Sequence, residues 1–490
     1  MDRKPFFSIL VSAGGVAVVS QAVAMVRQIL IVSTFGLSRD LDLYTTLFAI
    51  MSVSVLSLAN ILESNFIGLL SEMKADHGED AMRSSFVRYF GASVAFSIIV
   101  TALLVVAFPV LSLPFTAGFD DHEKLQLKNI AIYFLPWTLL ILPFAALGAC
   151  LKSVWCYRDV FLAELVVALA STAAIYFRHQ SVNSIAMAYA FGYSIAIAFL
   201  LWAMLLQSRR KEKLRFPWQR FISRFIRHFG SNQIGILQTM AERFWFSHLP
   251  TGNIAALGIV QQLTMSLAGL ISFRDAYVVP LAGEAGRGPK LSRLLIGMFL
   301  LATAGATFVG IAALPISELL YQYGKAGQAD IALIALLLQI GMASVVMVAI
   351  ATPIWRIQQV GAQYQPLVAV YIISAVLIFT LGAVFIGWLR MNAIGMAIIG
   401  GINALVACVI AMYFAARLGA RPTGAQWNLL VRLLLSFAVG GILAFLTMST
   451  LQVAVIFRIV IGGGVYSLVV VSFGILNYRQ LRSLIFGHTS

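Results

Sequence analysis

Charged side chains inside long apolar stretches are the feature of this sequence with the clearest chemical potential. A charge within a membrane-spanning helix costs roughly 2.5–3.5 kcal/mol, so each one needs a reason to be there. Arginine meets phosphate and carboxylate groups with a planar fork of donors, so buried arginines indicate an anionic ligand. Buried carboxylates are suited to carrying protons. The candidates are Arg27, Asp42, Glu63, Glu164, Glu242, Arg243, Arg274 and Asp275.

We expect these charges to divide into two roles. The residues predicted to line a wet cavity for an anionic ligand such as a phosphate are Arg27, Asp42, Glu63, Arg243 and Arg274. The candidates for ion coupling are Glu63, Glu164 and Glu242. The alternative for the adjacent pairs, Glu242 with Arg243 and Arg274 with Asp275, is mutual neutralisation. Neighbours in a helix point about 100° apart, however, and make poor direct partners.

Asp40 and Asp42 leave an enzymatic alternative open. They form an acidic pair of the kind that glycosyltransferases with lipid-phosphate donors often carry in an outer loop. Against this, the largest predicted outer loop, Leu113 to Lys128, holds only 16 residues and has no room for an acceptor domain. Asp40 would equally suit a helix cap. Because no other catalytic or metal-binding spacing occurs, we predict no catalytic residues, no metal and no cofactor.

Composition predicts the elements that hold these charges. Hydrophobic residues make up 60% of the 490 positions and charged residues 11%. Apolar runs of about 20 residues recur, and a helix of that length spans a bilayer. Since backbone polar groups in lipid must be satisfied internally, we predict an all-α integral membrane protein. The fourteen predicted spans are 6–35, 43–70, 86–111, 129–151, 159–177, 183–206, 229–249, 253–281, 292–316, 330–353, 365–388, 391–415, 428–449 and 453–476.

Lysine and arginine are distributed unevenly about these spans. With the N-terminus inside, the inward segments carry 24 of them and the outward segments 7. Because cytoplasmic loops carry the excess of positive charge, we expect both termini in the cytoplasm. The first apolar run is too long for a signal peptide, so we interpret it as the first span. The three cysteines show no metal-ligand spacing and are predicted to be packing residues.

The longest polar segment, Gln207 to His228, predicts the domain organisation. It contains eight lysines and arginines, and the spacing of Arg220, Arg224 and Arg227 puts these three on one helix face. This pattern favours a cytoplasmic linker helix on anionic lipid, with docking of polysaccharide-synthesis enzymes as the alternative. The predicted divisions are a six-helix lobe (1–206), the basic linker (207–228), a second six-helix lobe (229–416) and a terminal helix pair with its tail (417–490).

Three segments carry a more specific pattern. They are Val26-Arg27-Gln-Ile-Leu-Ile-Val-Ser-Thr-Phe35-Gly36-Leu-Ser-Arg-Asp-Leu-Asp42, Pro114-Phe-Thr-Ala-Gly-Phe119 and Leu320-Tyr-Gln-Tyr-Gly-Lys325. They resemble the lipid II flippases of the MurJ/MviN type, within the multidrug/oligosaccharidyl-lipid/polysaccharide (MOP) exporter superfamily. The resemblance implies two six-helix lobes forming a V around a cationic central cavity. It also implies alternating access, with a pyrophosphate-linked sugar lipid taken up at the inner leaflet of a bacterial inner membrane and released at the outer leaflet.

The resemblance also assigns residues. Arg27 matches the second arginine of the first-helix signature, and Asp42 matches the aspartate of the second helix. Three arginines of the family fall instead on Gln21, near Val55 and near Gln262, so Gln21 and Gln262 are expected in the cavity. With these cations missing, the expected substrate is another undecaprenyl-linked oligosaccharide rather than lipid II. Such lipids serve capsule, exopolysaccharide or O-antigen synthesis.

Two alternatives remain open at this point. An ion-coupled multidrug antiporter of the same superfamily would need an acidic or apolar cavity for cationic drugs, and the arginines argue against one. A transport-inactive scaffold would recruit synthesis enzymes through the basic linker.

Overall fold

The computed structural model describes residues 3–154, 156–177, 181–207, 218–271, 288–360, 365–420, 423–451 and 454–478. Every regular element within these ranges is a helix, and no strand occurs in them. The prediction of an all-α protein is therefore confirmed.

The helices follow one another with short connections. Up to Phe246 they are α1 (Arg3–Phe35), α2 (Arg39–Met51), α3 (Ser57–His77), α4 (Glu79–Ser84), α5 (Phe86–Leu111), α6 (Asp121–Ser153), α7 (Tyr157–Phe177), α8 (Asn183–Gln207) and α9 (Trp218–Phe246). The later helices are α10 (Asn253–Ile271), α11 (Gly288–Ile311), α12 (Ala313–Tyr321), α13 (Gln328–Val360), α14 (Gln365–Gly382), α15 (Asn392–Arg417), α16 (Gly424–Thr450) and α17 (Val455–Leu476). π-helical turns join α2 to α3 at Ser52–Leu56 and extend α14 at Ala383–Trp388, and a short 3₁₀ turn lies at Leu113–Phe115.

The described helices make this a multi-pass membrane protein. Eleven of the helical segments are long and apolar enough to cross a bilayer, and two shorter apolar helices, Val19–Phe35 and Asn253–Ala268, accompany them. Together with α9 they correspond one to one with the predicted spans. Since α9 does not reach the apolar character of the others, the count of fourteen stays a prediction.

Packing divides the chain into two compact units, Met1–Ile254 and Ala255–Ser490. In the first unit, α3, α5, α6, α7 and α8 enclose a core that includes Leu62, Phe66, Leu147, Val160 and Leu200. A glycine brings two of these helices together, because a β-carbon at Gly192 on α8 would lie 2.8 Å from the Val167 carbonyl oxygen on α7. The inner faces of α7 and α8 are therefore in close contact.

The described residues of the second unit form two core clusters. One joins α11, α13 and α15 through residues such as Leu295, Ile354 and Ala411. The other joins α16 and α17 to α11 and α12, and there the Tyr466 hydroxyl donates to the Ala304 carbonyl at 2.8 Å. A β-carbon at Gly462 would lie 2.6 Å from the Met448 side chain, so the last two helices pack through a glycine contact.

The bounds of two helices differ from the sequence prediction in an informative way. The second predicted span continues through the π-helical turn, where the Ser54 hydroxyl donates to the Ile50 carbonyl at 2.8 Å. Back-bonds of this kind bend helices and help to accommodate an irregular turn.

The predicted border between linker and second lobe, 228/229, falls inside the single helix α9. The four-part division of the chain stays a prediction, and α9 packs with the first unit in this structure.

Outside the spans, the corner between α3 and α4 is built on local charges. Lys74 lies 3.1 Å from Glu79, which also binds Arg83 one turn later. Hydrogen bonds from these two cations, first from Arg83 and then from Lys74, lower the pKa of the Glu79 carboxyl. The chain turns at Gly78, whose φ of +86° is a conformation that suits glycine.

Candidate functional site

Arg27 lies on α1 and contacts α7 and α8 of the first unit. α1 packs along α7, and Arg27 is only 7% exposed. Its Nη1 donates to the Ser171 hydroxyl of α7 at 2.8 Å, and its guanidinium carbon lies 4.5 Å from the centre of the Tyr189 ring of α8. Its Nε has no hydrogen-bond partner among the residues that the structure describes. A desolvated cation whose Nε donor is unused is therefore held in the apolar helical segment Val19–Phe35.

The Tyr189 ring that Arg27 contacts belongs to a cluster of aromatic side chains. Phe48 of α2 lies 5.9 Å from Trp137 and 6.0 Å from Tyr189, measured between ring centres. Trp137 of α6 lies 6.4 Å from Tyr193. Ring faces carry partial negative charge, and a cation over one gains about 0.5–2 kcal/mol. The bonded partner of Arg27 is a hydroxyl rather than a carboxylate, and no ion pair neutralises its positive charge among the described residues.

Three charged side chains meet elsewhere in the same unit. Lys152, at the end of α6, donates from Nζ to Oε1 of Glu63 on α3 at 2.5 Å. Glu164 of α7 lies within electrostatic range of both Lys152 and Glu63. We call Glu63, Lys152 and Glu164 the charge triad. Lys152 pairs with Glu63, and Glu164 adds a second carboxylate nearby, so the triad carries a net negative charge when both acids are ionised.

A second polar cluster lies where α2 and α6 begin. The Asp42 carboxylate is fully buried and accepts from the Gly252 backbone N–H at 2.7 Å. Arg39 lies 3.6 Å from the same oxygen and donates from Nε to Glu123 at 2.5 Å. Its guanidinium carbon lies 4.5 Å from the centre of the Phe119 ring. These contacts, which we call the loop latch, join the first turns of α2 and α6 to the turn between α9 and α10.

The loop latch bears on the enzymatic alternative. Asp40 is exposed whereas Asp42 is enclosed, so the two carboxylates do not face one substrate. The helix cap expected of Asp40 belongs to Ser38, whose hydroxyl accepts from the Leu41 N–H at 3.4 Å. A role for Asp42 in a substrate cavity stays a prediction, because its described contacts are those of the latch.

The first turns of α9 dock on α3 and α5. Arg224 donates to Glu72 at 2.5 Å, and Phe221 lies 5.1 Å from Phe66 between ring centres. Arg220 and Arg227 remain exposed. Of the three arginines predicted to share one helix face, Arg224 therefore binds an acid on α3, whereas Arg220 and Arg227 stay exposed on the same helix.

The other predicted site residues occupy separate positions. Gln21 of α1 is exposed, and Gln262 of α10 is half-buried in the second unit. Glu242 is half-buried on α9, and the Arg243 guanidinium carbon lies 4.5 Å from the centre of the Phe246 ring. Arg274 and Asp275 lie outside the described residues. The structure thus brings Glu63 and Glu164 together, and it gives Arg27 a site of its own.

Sequence reasoning missed Lys152 as a member of this arrangement. Lys152 stands at the end of an apolar run, and this position places it among the 24 inward lysines and arginines. Its side chain is only 17% exposed and reaches back along the helix bundle to Glu63. Long cationic side chains snorkel in this way. Glu63 lies 89 residues earlier in the sequence, so no local spacing indicates this pair.

The described residues contain no group of three or more His, Cys, Asp or Glu side chains that could hold a metal ion. The three cysteines are free, with Cys150 and Cys408 buried. This fits their predicted packing role.

Comparison with known proteins bears on the fold. No known protein-family model matches the sequence. A structure of the lipid II flippase MurJ in an inward closed conformation aligns with a TM-score of 0.73 at 14% identity, over 94% of this chain and 97% of that one. An inward-facing multidrug resistance MATE family transporter of the MOP superfamily aligns with a TM-score of 0.64 at 14% identity, over 82% of this chain and 96% of that one.

A third structure widens the comparison. It is a MOP superfamily transporter from Pyrococcus furiosus, described as having a binding pocket of reverse polarity that suggests a different function. It aligns with a TM-score of 0.61 at 13% identity, over 84% of this chain and 96% of that one. At these identities the likeness establishes the fold. The chain has the fold of the MOP superfamily transporters, as the sequence motifs indicated, and its own residues must decide the substrate.

Proposed function

We propose that this protein is a flippase for a polyprenyl-pyrophosphate-linked oligosaccharide, a precursor of a cell-envelope polysaccharide or exopolysaccharide other than lipid II. The observation that carries the proposal is Arg27, a buried cation at membrane depth whose Nε has no hydrogen-bond partner among the described residues. The fold likeness to a lipid II flippase supports the same class of cargo.

The buried Arg27 suits the main energetic cost of transporting such a substrate, which is the desolvation of its pyrophosphate. Moving a pyrophosphate through hydrocarbon would desolvate about two negative charges at prohibitive cost. A cation already stripped of water interacts strongly with an incoming anion and needs little reorganisation to do so. In this proposal the free donor of Arg27 contributes to binding the pyrophosphate while the lipid tail stays in the bilayer. Gln21, Glu63, Gln262, Arg243 and Arg274 stay candidates for the cavity lining.

The proposed setting is the bacterial inner membrane with both termini in the cytoplasm, because lysine and arginine are concentrated on that side. Access would alternate between the two leaflets. The described residues of the loop latch hold their loops together in this state, and their separation would accompany the change of access. The alternative is a scaffold role in which the basic linker recruits synthesis enzymes. Normal transport by a variant with reversed linker charges would exclude it.

The test is reconstitution of the full chain into liposomes with a fluorescent undecaprenyl-pyrophosphate disaccharide as the probe. We expect faster translocation of this probe than in protein-free vesicles. A matched undecaprenyl glycoside without the pyrophosphate serves as the control. The protein should increase its translocation rate only slightly. Equal acceleration of both probes would mean that the protein does not select the anionic group, and the proposal would fail.

A multidrug antiporter is the second candidate, and one observation favours it. Glu164 has no hydrogen bond or ion pair in the described part of the chain, and a free acid is what a cationic drug would seek. The fold likeness to a MATE family transporter is compatible with it. If the same liposomes show gradient-driven efflux of a cationic dye and no translocation of the lipid probe, the protein is a multidrug antiporter.

A further inference from the structure

The aromatic side chains beside Arg27 include a polar group that a pyrophosphate at the arginine leaves unexplained. The Trp137 side chain is 2% exposed, and its Nε1 makes no hydrogen bond with the described residues. The ring of Tyr193 lies 6.4 Å away between ring centres, but its hydroxyl does not meet hydrogen-bond geometry with this nitrogen. Buried indole N–H groups normally find an acceptor, so this unused donor requires an explanation.

We propose that Phe48, Trp137, Tyr189 and Tyr193, which we call the ring cluster, bind the sugar joined to the pyrophosphate of the transported lipid. In this subsite the Trp137 N–H donates to an oxygen of the sugar. The inference rests on the proposed function and deepens it, because it adds a sugar subsite beside the arginine that binds the pyrophosphate. The ring cluster then contributes to the choice of the sugar that is carried.

The contacts of the ring cluster lead from the arginine to the indole. The Arg27 guanidinium carbon lies 4.5 Å from the centre of the Tyr189 ring on α8. Tyr189 lies 6.0 Å from Phe48 on α2, and Phe48 lies 5.9 Å from Trp137 on α6, between ring centres. The cation and the unused N–H donor therefore belong to one connected set of rings. A headgroup whose pyrophosphate meets Arg27 has its sugar beside these rings.

The half-buried members of the cluster provide its accessible edge. Phe48 and Tyr193 both keep part of their rings exposed. Ser52 is also half-buried, and it follows Phe48 by one turn, at the start of the π-helical turn that packs against α6. Its hydroxyl makes no hydrogen bond with the described residues. Because π-helical turns often occur at functional sites, we assign Ser52 to the same subsite as a second hydrogen-bonding group.

A sugar fits these groups better than an apolar or a cationic ligand does. Ring faces carry partial negative charge and attract the C–H groups on the face of a pyranose ring. Sugar oxygens also supply the acceptors that Trp137 and Ser52 lack. A purely apolar ligand would leave both groups unpaired, at a cost in binding free energy. The positive charge of Arg27 over the Tyr189 ring repels a cationic ligand.

The first experiment titrates the full chain in nanodiscs with undecaprenyl-pyrophosphate disaccharide and with undecaprenyl pyrophosphate that carries no sugar. The wild type should bind the disaccharide lipid more tightly. Trp137→Phe keeps a ring but removes the N–H donor, so it should weaken binding of the disaccharide lipid by roughly 2- to 10-fold and leave the sugar-free lipid unaffected. Ser52→Ala should act in the same direction, whereas Arg27→Ala should weaken binding of both lipids. Trp355→Phe is the matched control, because Trp355 lies in the second unit with its ring centre 6.3 Å from that of Phe414.

A second measurement observes the indole directly. The chain has eight tryptophans, and labelling with 5-fluorotryptophan gives each of them a fluorine NMR signal. The signals that are missing in Trp137→Phe and in Trp355→Phe identify these two residues. The Trp137 signal should shift when the disaccharide lipid is added and should stay in place with the sugar-free lipid. The Trp355 signal should respond to neither lipid.

The possible results separate this inference from the proposed function. Equal affinity of the wild type for the two lipids would overturn the sugar subsite and leave the flippase standing. A Trp137→Phe protein that loses affinity for both lipids by the same factor would make Trp137 a structural residue. A Trp137 signal that does not respond to the disaccharide lipid would overturn the contact with the sugar. If neither lipid is bound or translocated, the proposed function fails and the sugar subsite fails with it.

Discussion

The carboxylate of Asp42 is fully buried, so each of its contacts bears on stability. It accepts from the Gly252 N–H and lies beside Arg39. Replacement by asparagine keeps the shape but removes the charge, and we expect Asp42→Asn to destabilise the protein by about 1–3 kcal/mol. Thermal unfolding in detergent measures this, with exposed Asp40→Asn as the matched control. Equal melting temperatures for the two variants would contradict a structural role of the loop latch.

Gly252 supplies the backbone side of the same contact. Its φ is +83°, and a β-carbon there would lie 2.7 Å from the Leu37 carbonyl oxygen. Side chains in this conformation cost about 1–2 kcal/mol before the clash is counted. We expect Gly252→Ala to lower the melting temperature.

The matched control for this prediction is Gly91→Ala. A β-carbon at Gly91 meets no atom within 4 Å, and alanine favours a helix. This variant should be neutral or slightly stabilising. If both glycine variants melt alike, the turn at Gly252 does not need its glycine.

Among the elements, α9 combines an amphipathic start with a docking face. Phe221 packs against the buried core residue Phe66, whereas the Arg224–Glu72 pair has side chains that are 37% and 41% exposed. Exposed ion pairs contribute about 0.2–1 kcal/mol, less than a packed aromatic ring. We therefore expect Phe221→Ala to release the start of α9 more than Arg224→Ala does.

Limited proteolysis at the linker measures this release. Ile226→Ala is the control, because Ile226 lies on the same helix and is 61% exposed. Greater cleavage in Arg224→Ala than in Phe221→Ala would mean that the charge pair, not the aromatic contact, holds the helix.

These elements also define what the sequence could and could not provide. Apolar runs predicted the helices well, because a bilayer demands helices of nearly fixed length. α9 was harder, since its polar first half was predicted as a separate linker helix, whereas it continues without a break into the next predicted span. Burial of Glu63 was predictable from its surroundings, but its partner was not. Lys152 comes from a helix 89 residues later, and no local pattern encodes that contact.

At the scale of the whole molecule, the fold is shared with transporters of different described functions. The fold therefore leaves the substrate open, and the charges within each unit must decide it. For an anionic headgroup leaving a negative cytoplasm, the membrane potential contributes about 2.3 kcal/mol per charge per 100 mV. We predict that an inside-negative potential drives the pyrophosphate probe outward.

A potassium gradient with valinomycin sets this potential in liposomes. The uncharged glycoside probe is the control, since the potential should leave its distribution unchanged. An unchanged distribution of the charged probe would mean that its charge is fully compensated during transport.

The most direct test of the account compares the initial translocation rate of the pyrophosphate probe in wild type, Arg27→Ala and Arg417→Ala. Arg417 is the control because it also lies over a ring, that of Tyr413 at 4.9 Å, in the second unit. A charged hydrogen bond contributes about 1.5–3 kcal/mol, so Arg27→Ala should slow translocation roughly 10- to 100-fold, with Arg417→Ala close to wild type. A folded Arg27→Ala protein that translocates the probe at the wild-type rate would contradict the proposed role of the buried arginine.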